Sequence, residues 1–301
     1  MREAPRRILG VGIATLDIVN EVAAWPAEDA EVRALAQRVS RGGNASNTLV
    51  VLSQLGHAGS FAGSLAEDAA SALILADLHG QGIATGACVR HSGARTPTSY
   101  IALSRTTGSR TIVHYRDLPE LTAAEFAAVD LAPFDWVHFE GRNPAETAQM
   151  IAHCRRCRPE LPISLEVEKP RPGIDALFQG PDVLIVSRAF ALSQGTTDPA
   201  SFLAEQRGRT SAALVILPWG AEGAYATGDG GARYRAPAYA PAALVDTLAA
   251  GDVFNAAVID GLLAGRGLPE LIERANRLAG LKCGRRGLAG LVAEARAAGC
   301  W

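Results

Sequence analysis

The chain has 301 residues, 48% hydrophobic and 20% charged, with a net charge of -2 and a pI near 6.3. That composition excludes a disordered or fibrous protein, and it lacks the basic excess of a nucleic-acid-binding surface. No stretch approaches the roughly 18 uninterrupted apolar residues of a membrane span, so a cytoplasmic protein is expected.

The first apolar run, Ile8 to Ile13, follows a short basic start and ends near Asp17. It fits a buried first strand better than a signal peptide. Further strand-length apolar runs lie at 136–139, 163–167, 183–186 and 213–217. Helix-like stretches fall at 45–55, 69–78, 145–154 and 200–206. Continuous apolar strands alternating with helices predict a doubly wound α/β layer with a mostly parallel sheet flanked by helices. Two stretches break the rhythm. Residues 17–40 have few helix signals, and 96–115 is rich in β formers, with 106–109 as the turn between two strands. They predict a small antiparallel β lid. The expected division is a core of 1–16, 41–92 and 117–301, and a lid of 17–40 and 93–116. Lids with free sheet edges are natural dimer surfaces, so a homodimer through the lid is expected.

The five cysteines are odd in number and irregular in spacing, which argues against a disulfide framework. Cys154 and Cys157 form a CxxC beside His153, but no second ligand pair completes a zinc site.

Near the C-terminus, Val245-Asp246-Thr247-Leu248-Ala249-Ala250-Gly251-Asp252-Val253-Phe254-Asn255 runs from a small-residue turn into an apolar helix. Bare N–H groups and the helix dipole attract anions at such a start, and small residues admit a phosphate. Asp252 by itself also reads as a helix N-cap. Two hundred residues earlier, Arg41-Gly42-Gly43-Asn44-Ala45-Ser46-Asn47 precedes a helical apolar stretch; alone it reads as a tight turn and cap.

Together, in this order, the two motifs resemble the signatures of the ribokinase (PfkB) carbohydrate kinase family. The C-terminal one is usually written D-T-x-G-A-G-D-x-F, and Ala249 stands here for its first glycine. The likeness spans most of the chain, from about Ile8 to Val292. Glu140-Gly-Arg-Asn143, Glu166-Val-Glu-Lys-Pro170 and Lys282-Cys-Gly284 are similar to the ketohexokinase branch. The resemblance implies a ribokinase-like fold and transfer of the γ-phosphoryl of ATP to a small sugar, a ketose such as fructose at its C1 hydroxyl. It implies Asp252 as catalytic base, with Ala249, Ala250 and Gly251 forming an anion hole shared with ATP. Asp17, Gly43, Asn44, Asn47 and Arg110 would hold the sugar beside Asp252. Arg188, Gly220, Gly223 and Cys283 would face the nucleotide. Glu166 and Glu168 would position Mg²⁺ through water. The two are expected on opposite sides of the strand. A K⁺ requirement stays open. Rival readings are a kinase of ribose, 2-keto-3-deoxygluconate, tagatose 6-phosphate or a nucleoside, and a non-catalytic sugar-binding regulator.

Overall fold

The structure is a computed structural model that describes residues 4–107 and 109–301. The chain begins with β1 (Arg7–Val11), β2 (Thr15–Val22), β3 (Ala36–Gly42), α1 (Asn44–Leu55), β4 (Ala58–Ala62), β5 (Ser64–Ala66), α2 (Ala69–Gly80) and β6 (Val89–His91). Next come β7 (Thr98–Ser104), β8 (Arg110–Tyr115), α3 (Ala123–Phe126), β9 (Trp136–Glu140), α4 (Pro144–Cys157), β10 (Ile163–Val167), β11 (Val183–Val186), α5 (Arg188–Ser193) and α6 (Pro199–Arg209). The chain closes with β12 (Leu214–Pro218), β13 (Ala224–Thr227), β14 (Arg233–Ala236), α7 (Ala250–Leu263), α8 (Leu268–Cys283) and α9 (Leu291–Ala297).

The main sheet has eight strands in the order β14-β13-β12-β11-β10-β9-β1-β4. From β4 to β12 every neighbour is parallel, while β13 and β14 add antiparallel strands at one edge. The parallel strands are mostly apolar because both faces are covered. In β11, Val183 and Ile185 enter one core with residues of α1, α7 and α8. Leu184 and Val186 enter the opposite core with residues of α3, α4 and α6. The expected doubly wound layer is therefore present. Three of its strands, β4, β13 and β14, were not anticipated from sequence.

The second sheet runs β3-β2-β7-β8. Its outer pairs are antiparallel, as the lid reading expects, but the central pair β2 and β7 is parallel. The two halves come from separate segments entering in the same direction, which a single meander would not give. The expected turn at 106–109 includes Gly108, which lies outside the described residues.

The roots of the lid fix the site. β2 starts four residues after β1 ends, and β3 runs through Gly42 directly into α1. The start of α1 thus lies over the carboxyl ends of β1, β9 and β10, where ligands bind in open α/β sheets. The start of α7 reaches the same place through contacts of α1 with α7, Thr48 Oγ1 donating to the Asp252 carbonyl at 3.3 Å.

Candidate functional site

Gly43 has φ 109 and occupies the cap position of α1 without any side-chain cap. A Cβ there would collide with the Ile13 carbonyl oxygen, so glycine is demanded twice over. The tight passage aims the first turn of α1 inward. Asn44 Nδ2 donates to Glu166 Oε2 at 3.1 Å and to Glu168 Oε2 at 3.2 Å. Asn47 Nδ2 donates to Asp252 Oδ2 at 2.7 Å.

The orientation of Asn47 has a cause. Arg41, with its side chain only 4% exposed, pairs with Asp77 at 2.7 Å. Its Nη1 donates to Ser46 Oγ at 2.6 Å and to Asn47 Oδ1 at 2.9 Å. The amide oxygen is thereby engaged, and the NH₂ end must face Asp252.

Asp252 lies in the first turn of α7 but does not cap it; the cap position is Ala249. Ala249 adopts the left-handed conformation, φ 62 and ψ 11, that the resemblance gave to glycine. The Asp252 carboxyl is buried, 5% exposed. Burial pushes its pKa from 3.8 up to about 8; the Asn47 hydrogen bond opposes this, and the Glu168 and Glu140 charges add to it. Glu166 is likewise held well above the usual carboxylate range, first by burial and then by Asp252, Glu168 and Glu140, with Asn44 opposing. Glu140 rises by burial, offset mainly by Arg142, and its Oε2 accepts from the Ile13 amide at 3.2 Å.

Glu166 and Glu168 do not face opposite sides. Residues two apart share one face of a strand, and although β10 ends at Val167 both carboxylates converge on one Asn44 amide. These crowded acids have too few counter-charges, and hard oxygen donors suit Mg²⁺. Among the described residues, no three His, Cys, Asp or Glu side chains are gathered closely enough to hold an ion directly. The donor set therefore fits a magnesium ion that keeps several waters and takes one or two carboxylates.

The remaining expected residues fall into three groups. Asp17 lies on β2, its Oδ1 accepting from Thr15 Oγ1 at 2.9 Å, with its carboxylate against Gly42. Arg110, on the lid strand β8, reaches Thr247 Oγ1 at 3.1 Å, in the loop before Ala249. A second lid arginine, Arg38, pairs with Asp246 at 3.2 Å. On the other side of the molecule's ligand-binding edge, the Arg188 guanidinium stacks 5.3 Å from the Trp219 ring centroid, next to Gly220. No hydrogen bond joins this pair to Asp252 among the described residues. Gly223 is needed by the fold itself, because a Cβ would collide with the Ala236 carbonyl of β14. Cys283 joins the motif loop through its backbone, its carbonyl accepting from the Val245 amide at 2.8 Å and the Asp246 amide at 3.1 Å. Ala250 and Gly251 open α7, and a Cβ on Gly251 would lie 4.0 Å from Glu166 Oε1. Arg41, Glu140 and Lys282 belong to the site but were not singled out as site residues. Each lies inside a quoted motif, which is the signal that could have found them.

A lidded parallel sheet with a buried helix-start carboxylate at its strand ends is the arrangement of a small-molecule kinase. Residues 6–295 match the pfkB family carbohydrate kinase description. The chain is 38% identical to ketohexokinase from Mus musculus over 295 residues, 95% of this chain and 99% of that one. It is 25% identical to ribokinase from Bacillus subtilis over 92% of each. Arabidopsis thaliana ribokinase, solved with ribose and ATP, superposes with a TM-score of 0.79 at 20% identity, covering 96% of both chains. The chain belongs to the PfkB family of carbohydrate kinases. It is an ATP-dependent sugar phosphotransferase with the ribokinase-like fold. No helix among the described residues is long and apolar enough to cross a membrane.

Proposed function

We propose that the enzyme transfers the γ-phosphoryl of ATP to the C1 hydroxyl of a ketose such as fructose. The observation that carries this reading is the buried Asp252 carboxyl, oriented by Asn47 and preceded by the small-residue turn 249–251. Asp252 takes the hydroxyl proton, and the amides of Ala249, Ala250 and Gly251 with the α7 dipole receive the migrating phosphoryl charge. Asp17, Gly43, Asn44, Asn47 and Arg110 surround the sugar. Amides and carboxylates suit a polyol because each pairs with two hydroxyls. Arg188, Gly220, Gly223 and Cys283 line the nucleotide side. Glu166 and Glu168 would hold Mg²⁺ through water, and the ion would supply charge neutralisation at the phosphates. Ketose preference is supported by the 38% identity to ketohexokinase across nearly the whole of both chains.

The lid of 17–40 and 93–116 carries apolar side chains in solvent: Val39, Tyr100, Ile112, Val113 and Tyr115 are 46–64% exposed. A second copy pairing there would bury them, so a homodimer in the cytoplasm is part of the reading. Light scattering measures it directly; a monomer at micromolar concentration removes it.

The deciding assay is ADP release over fructose, ribose, 2-keto-3-deoxygluconate, tagatose 6-phosphate and a nucleoside, with a phosphate position assigned by NMR. Fructose phosphorylated at C1 with the highest kcat/KM is the expected result. Preference for ribose would move the reading to the ribokinase branch, and binding without turnover across the panel would leave a non-catalytic sensor.

A further inference from the structure

Two buried nitrogens belong to no contact described so far. His138 is 0% exposed and Asn255 is 1% exposed. Among the described residues, His138 Nε2 and Asn255 Nδ2 have no hydrogen-bond partner. Buried polar atoms are otherwise paired, with protein or with ordered water. The hydrogen on His138 can be placed. Trp136 Nε1, which can only donate, gives its hydrogen to Ser164 Oγ at 2.8 Å. His138 Nδ1, at 2.8 Å, is the one further partner of that hydroxyl among the described residues, so the hydroxyl donates to it. Burial keeps the imidazole neutral by lowering its pKa to about 4. The single ring hydrogen therefore sits on Nε2, and both unpartnered atoms are donors.

The two donors lie in one layer, just behind the acids. Trp136 enters the core that α7 covers. His138 and Glu140 share its face of β9, and Glu166 shares the face of Ser164 on β10, because residues two apart point the same way. In register, His138 stands beside Ser164 and Glu140 beside Glu166. Asn255 follows Asp252 by one turn of α7. His138 is thus two strand residues deeper than the acids, roughly 6.6 Å. Asn255 is three helix residues deeper, roughly 4.5 Å. A single water with hydrogen bonds of about 2.8 Å on either side bridges about 5.6 Å, which matches this depth.

We propose that a buried water accepts from His138 Nε2 and Asn255 Nδ2 and donates to the Glu166 carboxylate, making His138 and Asn255 positioning residues for the acids of the active site. The inference rests on the proposed roles of Asp252 and Glu166. Three hydrogen bonds are the usual number for a buried water. Asn44 holds Glu166 Oε2 from the α1 side, and the water holds the same carboxylate from the sheet side. Two bare N–H donors in one dry layer account for the arrangement less well, since each would be left with its desolvation uncompensated.

Thermal melts of Asn255→Leu, His138→Phe and the double variant separate the two cases. A donor with no partner is better replaced by carbon, so a dry layer predicts raised melting temperatures. The held water predicts a fall of roughly 2–6 °C for Asn255→Leu in the wild-type background. It also predicts little or no further fall for Asn255→Leu once residue 138 is Phe, because both substitutions remove the same water. Turnover of Asn255→Leu should drop about tenfold with the sugar KM unchanged. His138→Phe should do the same, and His138→Gln, which keeps a donor near the Nε2 position, should restore most of the loss. A crystal structure of the wild type without nucleotide or Mg²⁺ should show a water within hydrogen-bond distance of both nitrogens. A dry layer in that structure, a stabilising Asn255→Leu or an unchanged kcat overturns the proposal. If the variants do not fold, the wild-type crystal structure decides alone. A wild type that phosphorylates no sugar counts against the proposed function, while the melts and the crystal structure still judge the water.

Discussion

Replacing Asp252 by asparagine separates chemistry from stability. The amide keeps the size of the carboxyl, and its oxygen still accepts from Asn47. It removes the base, so turnover should fall by about 10²–10⁴ with sugar and nucleotide affinities retained. Stability should move the other way. Asp252 has a folded pKa of about 8 against 3.8 for an ordinary aspartate. Between these values the folded state keeps a proton that the unfolded chain has released. The associated stability is complete below about pH 4 and is lost as pH rises toward 8, at about 1.4 kcal/mol per unit. From pH 5 to pH 8 that amounts to about 4 kcal/mol, which asparagine never loses. At roughly 2 °C per kcal/mol for a chain of this size, the melting temperature of the variant should draw ahead by roughly 8 °C across that interval. Scanning calorimetry of both proteins without nucleotide or Mg²⁺, at pH 5, 6, 7 and 8, measures the gap. Near-wild-type turnover refutes the base assignment. A gap that stays flat from pH 5 to 8 refutes the claim that burial and neighbouring acids hold the proton on Asp252.

Other substitutions probe single terms. Ala249→Gly relieves a left-handed alanine, worth about 1–2 kcal/mol, against about 0.4–1 kcal/mol lost to a freer unfolded chain; a melting temperature raised by a degree or two with turnover preserved is expected. Glu168→Gln removes a charge that raises the Asp252 pKa, so the rise of kcat/KM with pH should shift to lower pH, while the apparent Mg²⁺ affinity weakens; a pH–rate profile with Mg²⁺ titration reads both. Gly43→Ala places a Cβ against the Ile13 carbonyl at φ 109, and should lower the denaturation free energy by more than about 2 kcal/mol, measured by urea unfolding.

The strands that sequence exposed were those buried on both faces. Val183–Val186 is an unbroken apolar run because each side chain meets one core or the other. β4 reads Ala-Gly-Ser-Phe-Ala and β13 reads Ala-Tyr-Ala-Thr; small residues under close-packed helices carry no β signature. In the site, residue types were legible and their mutual arrangement was not. Asn47 and Asp252 are 205 positions apart and meet only because the start of α1 faces the start of α7. Separating Glu166 from Glu168 misapplied the pleat: residues two apart share a face, and the two carboxylates meet at Asn44. Nothing local marks Arg41 as the group that turns the Asn47 amide, since its effect passes through a second side chain.

The acids around Asn44 carry the most informative conflict. Glu140, Glu166 and Asp252 are all nearly buried; Asp252 and Glu140 raise the proton affinity of Glu166, and Glu140 raises that of Asp252. A fold selected for stability alone would not gather them, because each like charge in a low-dielectric site is unfavourable unless compensated. Asn44, Asn47 and the arginines Arg41 and Arg142 compensate only in part. The deficit is of the right sign for a cation that arrives with the nucleotide. By drawing down the carboxyl pKa values, its charge would convert Asp252 from the proton-holding form to the ionised form that can accept a hydroxyl proton. Without that charge Asp252 near neutral pH is mostly protonated, and a base in that form cannot activate water toward ATP either. With Asp252 in its proposed role, the same burial would restrain wasteful hydrolysis of ATP until the cation's charge is present.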